Sequence, residues 1–250
     1  MSTSVSTQPI AETSPQLKAR AAGVFWLMTI LSGVFSMFAW GRLVDSGNAA
    51  ATAANILANE SLYRLGSTAD LVGLFCYIAV TLLVYDLLKP VNRNLSLLAA
   101  FFSLVGCAIG ALGCVLQLAP LVVLRGAQYL SVFTEQLQAL AFLFLRLRGQ
   151  ANNIALVFFG FHCLLIGYLI LRSSFLPRIV GALMVFGGLG WLTFLSPPLA
   201  ESLSPYIVAP GILGEGSLTL WLLVMGVNAQ RWNDRVRAAG QWRSDSAIAT

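Results

Sequence analysis

Apolar residues gather in six runs, 21–40, 69–88, 95–118, 154–171, 179–195 and 207–227, with the polar residues largely in the gaps and tails. Each run is close to the ~20 residues a helix needs to cross a hydrocarbon core about 30 Å thick. The runs are evenly apolar and lack the alternation of the ~10-residue strands of a barrel. In lipid, moreover, every backbone N–H and C=O must find a partner within its own segment. The pattern therefore predicts an all-α, polytopic bundle of six transmembrane helices. It divides the chain into a flexible N-terminal tail, 1–20, a six-helix domain, 21–228, and a C-terminal tail, 229–250.

The gaps are unequal. Residues 88–93 and 172–178 read as tight turns with Pro90 and Pro177 beside basic residues. The other connections are longer and predict two short outer amphipathic helices. Asp45 or Ser46 can cap the first, through about Asn59, and Ser61 can cap the approach to the second span. Thr134 can cap the second outer helix, 135–148. Its apolar positions Leu137, Leu140, Ala141, Phe144 and Leu145 recur at three- and four-residue spacing, so it is expected to lie in the interface. Outer helix, span, basic turn and span then recur at 48–118 and 134–195, a layout that reads as a parallel repeat.

Composition sharpens the picture. Hydrophobic residues make up 58% of the chain and charged residues 10%, against roughly 25% charged in soluble domains. Lys18, Arg20, Lys89, Arg93, Arg172, Arg178, Arg231, Arg235, Arg237 and Arg243 fall on one side of the predicted topology. Arg42, Arg64, Arg125, Arg146 and Arg148 fall on the other. Lys and Arg are retained in the cytoplasm, so both termini are expected there. The first run is longer than the 7–15 residues of a cleaved signal and reads as an uncleaved span. Basic residues spread over membrane-flanking turns fit lipid headgroups and not nucleic acid. Cys76, Cys107, Cys114 and Cys163 lie inside spans without C-x-x-C spacing, and there is a single histidine, so no metal or other cofactor is expected.

Helical wheels locate the candidate chemistry. Asp70, Gly73, Tyr77 and Thr81 share a stripe on the second span; Ser96, Ser103, Gly106, Gly110, Cys114 and Gln117 share one on the third. The first span carries Thr29, Ser32, Gly33 and Ser36, and the sixth Gly211, Glu215, Thr219 and Gly226. Small residues let helices approach closely, and Gly106 and Gly110 have G-x-x-x-G spacing. Ionisable groups stand out, since a charge at the bilayer centre costs at least about 2.5 kcal/mol. Glu215, between Gly214 and Gly216, reads as a neutral hydrogen-bond donor or a carboxylate. Asp70 sits near the outer end and can pair with Arg64. His162 lies near mid-membrane within reach of Glu215 if their helices touch, and Asp86 can pair with Lys89.

Several stretches carry a resemblance: Tyr63-Arg64-Leu65-Gly66 with Asp70, Lys89-Pro90-Val91-Asn92-Arg93, the run 155–169 around His162, Phe175-Leu176-Pro177-Arg178, and Gly214-Glu215 with Trp221 and Asn228. Across about 19–228 the chain resembles the bacterial domain-of-unknown-function family numbered 4386. That resemblance implies a multi-pass membrane protein with no assigned activity, here in a bacterial plasma membrane. The family pattern places an acid in the second span and an Arg in the third where this chain has Tyr77 and Ser103, so no buried ion pair is expected there.

Three functions remain open at this point. A binding or transport module would use an outward polar cavity built from Asp70, Tyr77, Gln117 and Glu215, with His162 a further candidate binding residue whose place in that cavity stays open. A structural or regulatory subunit would use the same stripes for packing and dock a partner. A membrane-embedded enzyme is least supported, because no catalytic residue is assigned and His162 with Glu215 is its one acid–base constellation. The expected partners are the lipid bilayer and a small-molecule or cation ligand; a homo-oligomer is also open.

Overall fold

The computed structural model describes residues 14–126, 134–203 and 206–248, with side chains as far as residue 239; residues 1–13 of the expected N-terminal tail lie outside it. Among the described residues there are helices and no strands. Helix α1 runs Pro15–Leu43, α2 Ala49–Ala58, α3 Glu60–Leu88, α4 Arg93–Arg125 and α5 Thr134–Arg172. Then come α6 (Arg178–Leu192) with a 3-10 turn at Thr193–Leu195, α7 (Pro197–Leu203), α8 (Val208–Val224) and α9 (Ala229–Ile248). Among the described residues five helices are long and apolar enough to span a membrane, and α7 with α8 makes a sixth when taken as one bent span. The protein is membrane-embedded by this measure. Its outer faces carry exposed apolar side chains such as Phe75, Leu82, Val115 and Leu220, the surface that lipid would cover.

The six long helices close into a ring in chain order. Helix α1 packs on α3, α3 on α4, α4 on α5, α5 on α6, α6 on α8, and α8 back on α1. The small-residue stripes form several of these seams. Thr29 Oγ1 donates to the Gly73 carbonyl at 3.1 Å, joining α1 to α3, while Gly33 faces open space. Thr81 and Ser103 share a hydrogen bond of 2.6 Å between α3 and α4. Between α5 and α6 the backbones nearly touch: a Cβ on Gly167 would lie 2.8 Å from the Gly181 carbonyl oxygen.

One end of the ring is the basic end. There Asp86 takes both Lys18 and Lys89, tying the start of α1 to the end of α3. Gln16 clasps the turn after α8: its amide N–H donates to the Met225 carbonyl at 3.1 Å, and its carbonyl accepts from Val227 N at 2.8 Å. Gly226 turns there with φ 68°, and a Cβ would lie 2.4 Å from Gln16 Oε1. Helix α9, the C-terminal tail of the sequence, folds against this end, with Trp232 Nε1 donating to the Leu87 carbonyl at 2.9 Å.

At the far end the expected helix boundaries shift. Asn48, not Asp45 or Ser46, caps α2, its Oδ1 accepting from Ala51 N at 2.9 Å. Helix α3 begins at Glu60, so Ser61 lies inside it. The expected second interfacial helix is not separate: α5 continues unbroken from Thr134 through the span. No proline interrupts 134–172, and the apolar face of the first half has a place to pack. Ala141 and Leu145 are buried, and Leu145 joins Leu43, Ile56, Tyr63 and Leu121 in a small second core. The two copies of the proposed repeat therefore differ, one starting with a separate α2 and the other with a continuous helix.

Candidate functional site

The far-end core supports a polar cavity of about 140 Å³ between α3, α4 and α5, lined by Asp70, Gln117 and Arg148 together with Cys114, Asn152 and Phe159. Arg148 organises it. Its Nε donates to Gln117 Oε1 at 2.9 Å and its Nη2 to Asp70 Oδ2 at 3.1 Å, while the guanidinium lies 4.9 Å from the Trp40 ring centroid. A planar guanidinium suits this double task, since it offers fixed donors and a stackable face at once. Gln117 is held in turn: its Nε2 donates to Ser67 Oγ at 3.2 Å, and its backbone carbonyl accepts from the Tyr63 hydroxyl. Arg64, the partner expected for Asp70, instead bonds Glu60 at 2.7 Å.

Phe159 forms the floor of this cavity. A Cβ on Gly106 would lie 3.0 Å from the Phe159 ring, which leans on Tyr77 with ring centroids 4.7 Å apart. Below it, Tyr77 also meets Trp26 and His162, each at 5.9 Å between centroids. Tyr77, Glu215 and His162 thus belong to a deeper layer, and they do not line the cavity that holds Asp70 and Gln117.

In that layer Glu215 receives two indole donors. Trp26 Nε1 lies 3.0 Å from Oε2 and Trp191 Nε1 lies 2.8 Å from Oε1. Gly211, one turn earlier on α8, makes the space for Trp191, since a Cβ there would sit 2.0 Å from its ring. His162 turns away: its Nδ1 donates to the Ala99 carbonyl at 2.8 Å. The acid–base contact of His162 with Glu215 does not form. Two buried polar atoms here, Tyr77 Oη and His162 Nε2, have no hydrogen-bond partner among the described residues.

Sequence reasoning missed Arg148, Trp26 and Trp191 as site residues. A signal existed for the tryptophans. Trp favours membrane interfaces, and a Trp within an apolar span needs an acceptor for its N–H, which the acid of another span can supply.

A family model described as Domain of unknown function (DUF4386) matches residues 21–226. The chain belongs to this family. The DUF4386 segment takes in α1 from residue 21 onward and the other five ring helices whole, and Trp26, Asp70, Gln117, Arg148 and Glu215 fall within it. A relative, an uncharacterized protein of Archaeoglobus fulgidus, is 27% identical over 180 residues, covering 69% of this chain and 93% of that protein. No solved structure matches.

Proposed function

We propose that this DUF4386 protein is a binding and transport module for a small zwitterionic solute, taken up in the Asp70–Gln117–Arg148 cavity. One observation carries the reading. Arg148 stands in the cavity beside Asp70 and Gln117, so a carboxylate-like group and an ammonium-like group can both be met within a few ångströms. A lone cation is the poorer match, because Arg148 already faces Asp70. The volume, about 140 Å³, is below the roughly 300–1,000 Å³ of drug-sized pockets and suits a solute of few heavy atoms.

The ends of the bundle differ in a way that supports transport. Toward the basic end the centre is filled by Val84, Ile166, Ile170, Leu218 and Leu222 around an apolar void of about 10 Å³, at the lower limit for a water. The cavity and the apolar plug lie on opposite sides of the Glu215 layer. The excess of Lys and Arg at the basic end supports a plasma-membrane setting with both termini cytoplasmic and the cavity facing outward.

Glycine, β-alanine and glycine betaine, titrated into the detergent-purified protein, are the probes, with acetate and methylammonium as singly charged controls. At least one zwitterion is expected to raise Tm where the controls do not, and Asp70→Asn and Arg148→Met are expected to abolish the effect. If no zwitterion shifts Tm, or the shift survives both substitutions, the reading is wrong.

A further inference from the structure

Two clefts larger than the far-end cavity lie elsewhere, at the basic end on either side of α9. One, of about 690 Å³, is lined by Lys89, Arg93 and Arg235; the other, of about 630 Å³, by Arg172, Arg178, Arg231 and again Arg235. Three parts of the chain converge here: the α3–α4 turn, the α5–α6 turn and α9. Helix α9 is fastened in place. Trp232 is buried with its N–H on Leu87, Arg231 Nη1 donates to the Ser174 carbonyl at 3.1 Å, and Asn228 N donates to the Phe175 carbonyl at 3.2 Å.

The charge in these clefts is unbalanced. Asp86 answers Lys89, but among the described residues no carboxylate forms a salt bridge with Arg93, Arg172, Arg178, Arg231 or Arg235. Five guanidiniums gathered at two rims repel one another, and a bound anion relieves that repulsion. Their forked N–H groups match phosphate oxygens in pairs. They also stand at the ends of apolar helices, the level at which lipid phosphates lie.

We propose that α9 and the two basic turns form a bipartite site for an anionic phospholipid headgroup, one phosphate in each cleft with Arg235 between them. A lipid with two phosphates, such as diphosphatidylglycerol, is the best-matched ligand. This site is independent of the far-end cavity.

The full chain, purified and delipidated in detergent, is tested by native mass spectrometry and thermal unfolding with diphosphatidylglycerol, phosphatidylglycerol, phosphatidylcholine and inorganic pyrophosphate. Diphosphatidylglycerol is expected to bind tightest and to raise Tm, phosphatidylglycerol to act more weakly, and the other two to do little. Arg178→Ala and Arg235→Ala should each weaken diphosphatidylglycerol binding about fivefold. Neither side chain makes a hydrogen bond or ion pair within the described residues, so the fold should survive both changes. Arg237→Ala, which alters α9 outside both clefts, should have little effect. Equal binding of phosphatidylcholine, or equal weakening by Arg237→Ala, would overturn the site. Pyrophosphate matching diphosphatidylglycerol would overturn the lipid assignment, and phosphatidylglycerol matching it would overturn the two-phosphate arrangement.

Discussion

Trp191 donates its indole N–H to Glu215 Oε1 at 2.8 Å, joining the end of α6 to the middle of α8 inside the ring. Trp191→Phe keeps most of the ring volume and removes the indole donor, leaving a partly buried carboxyl oxygen with only the weak Cys163 thiol donor, 4.0 Å away. Such a loss costs about 1–3 kcal/mol, so Tm should fall in detergent and in bicelles. Glu215→Gln should also destabilise, because its NH₂ group would face an indole donor. Unchanged unfolding in both variants would show that this pairing contributes nothing.

The Asp70–Arg148 pair is partly exposed, with side chains 19% and 26% accessible. Its coupling should therefore be modest, about 1 kcal/mol in a double-mutant cycle of Asp70→Asn and Arg148→Met. A larger value would mean that the cavity is drier than its geometry implies. A coupling of zero would mean that Arg148 holds its place through Gln117 and Trp40 alone.

Gly226 and Gly33 make a contrasting pair. Alanine at Gly226 must adopt a positive φ and collide with Gln16, so a loss of about 1–2 kcal/mol or more is expected. Alanine at Gly33, on an open helix face, should cost nothing. Thermal unfolding of the two variants side by side checks the clasp that Gln16 makes around the end of α8.

Phe159→Ala should open the cavity floor toward the layer beneath. Cys114 lines the cavity, whereas Cys107 and Cys163 are buried below it. A small water-soluble thiosulfonate should then label Cys107 or Cys163 faster than in the parent protein, with Cys114 labelling unchanged. Identical labelling patterns would show that Phe159 is not the barrier.

Much of the architecture was legible because apolar length is set by the thickness of lipid, a constraint that acts on each segment separately. The helix ends were less so. Hydropathy marks where a helix meets the hydrocarbon boundary, not where it stops, so α3 and α5 run past their apolar runs through Tyr63, Ser67 and Leu145, which pack at the far end. Glu215 and Asp70 stood out as charges in apolar surroundings. Their partners did not, because Trp26, Trp191 and Arg148 are fixed by which helices adjoin around the ring. A polar stripe on one helix also cannot say whether its residues share a depth, which is why Asp70 and Tyr77 parted into two layers around Phe159.

The closing contact of the ring has a bearing on how the molecule is made. Trp26 belongs to the first helix, yet its acceptor Glu215 follows 189 residues later on α8, the last helix of the ring. Gln16 waits in the same way for the turn at Gly226. A nascent chain halted before α8 would carry an unanswered indole N–H and an open seam in lipid, the kind of defect that membrane quality control can read. The α1–α8 seam of this protein can therefore close only once α8 is present.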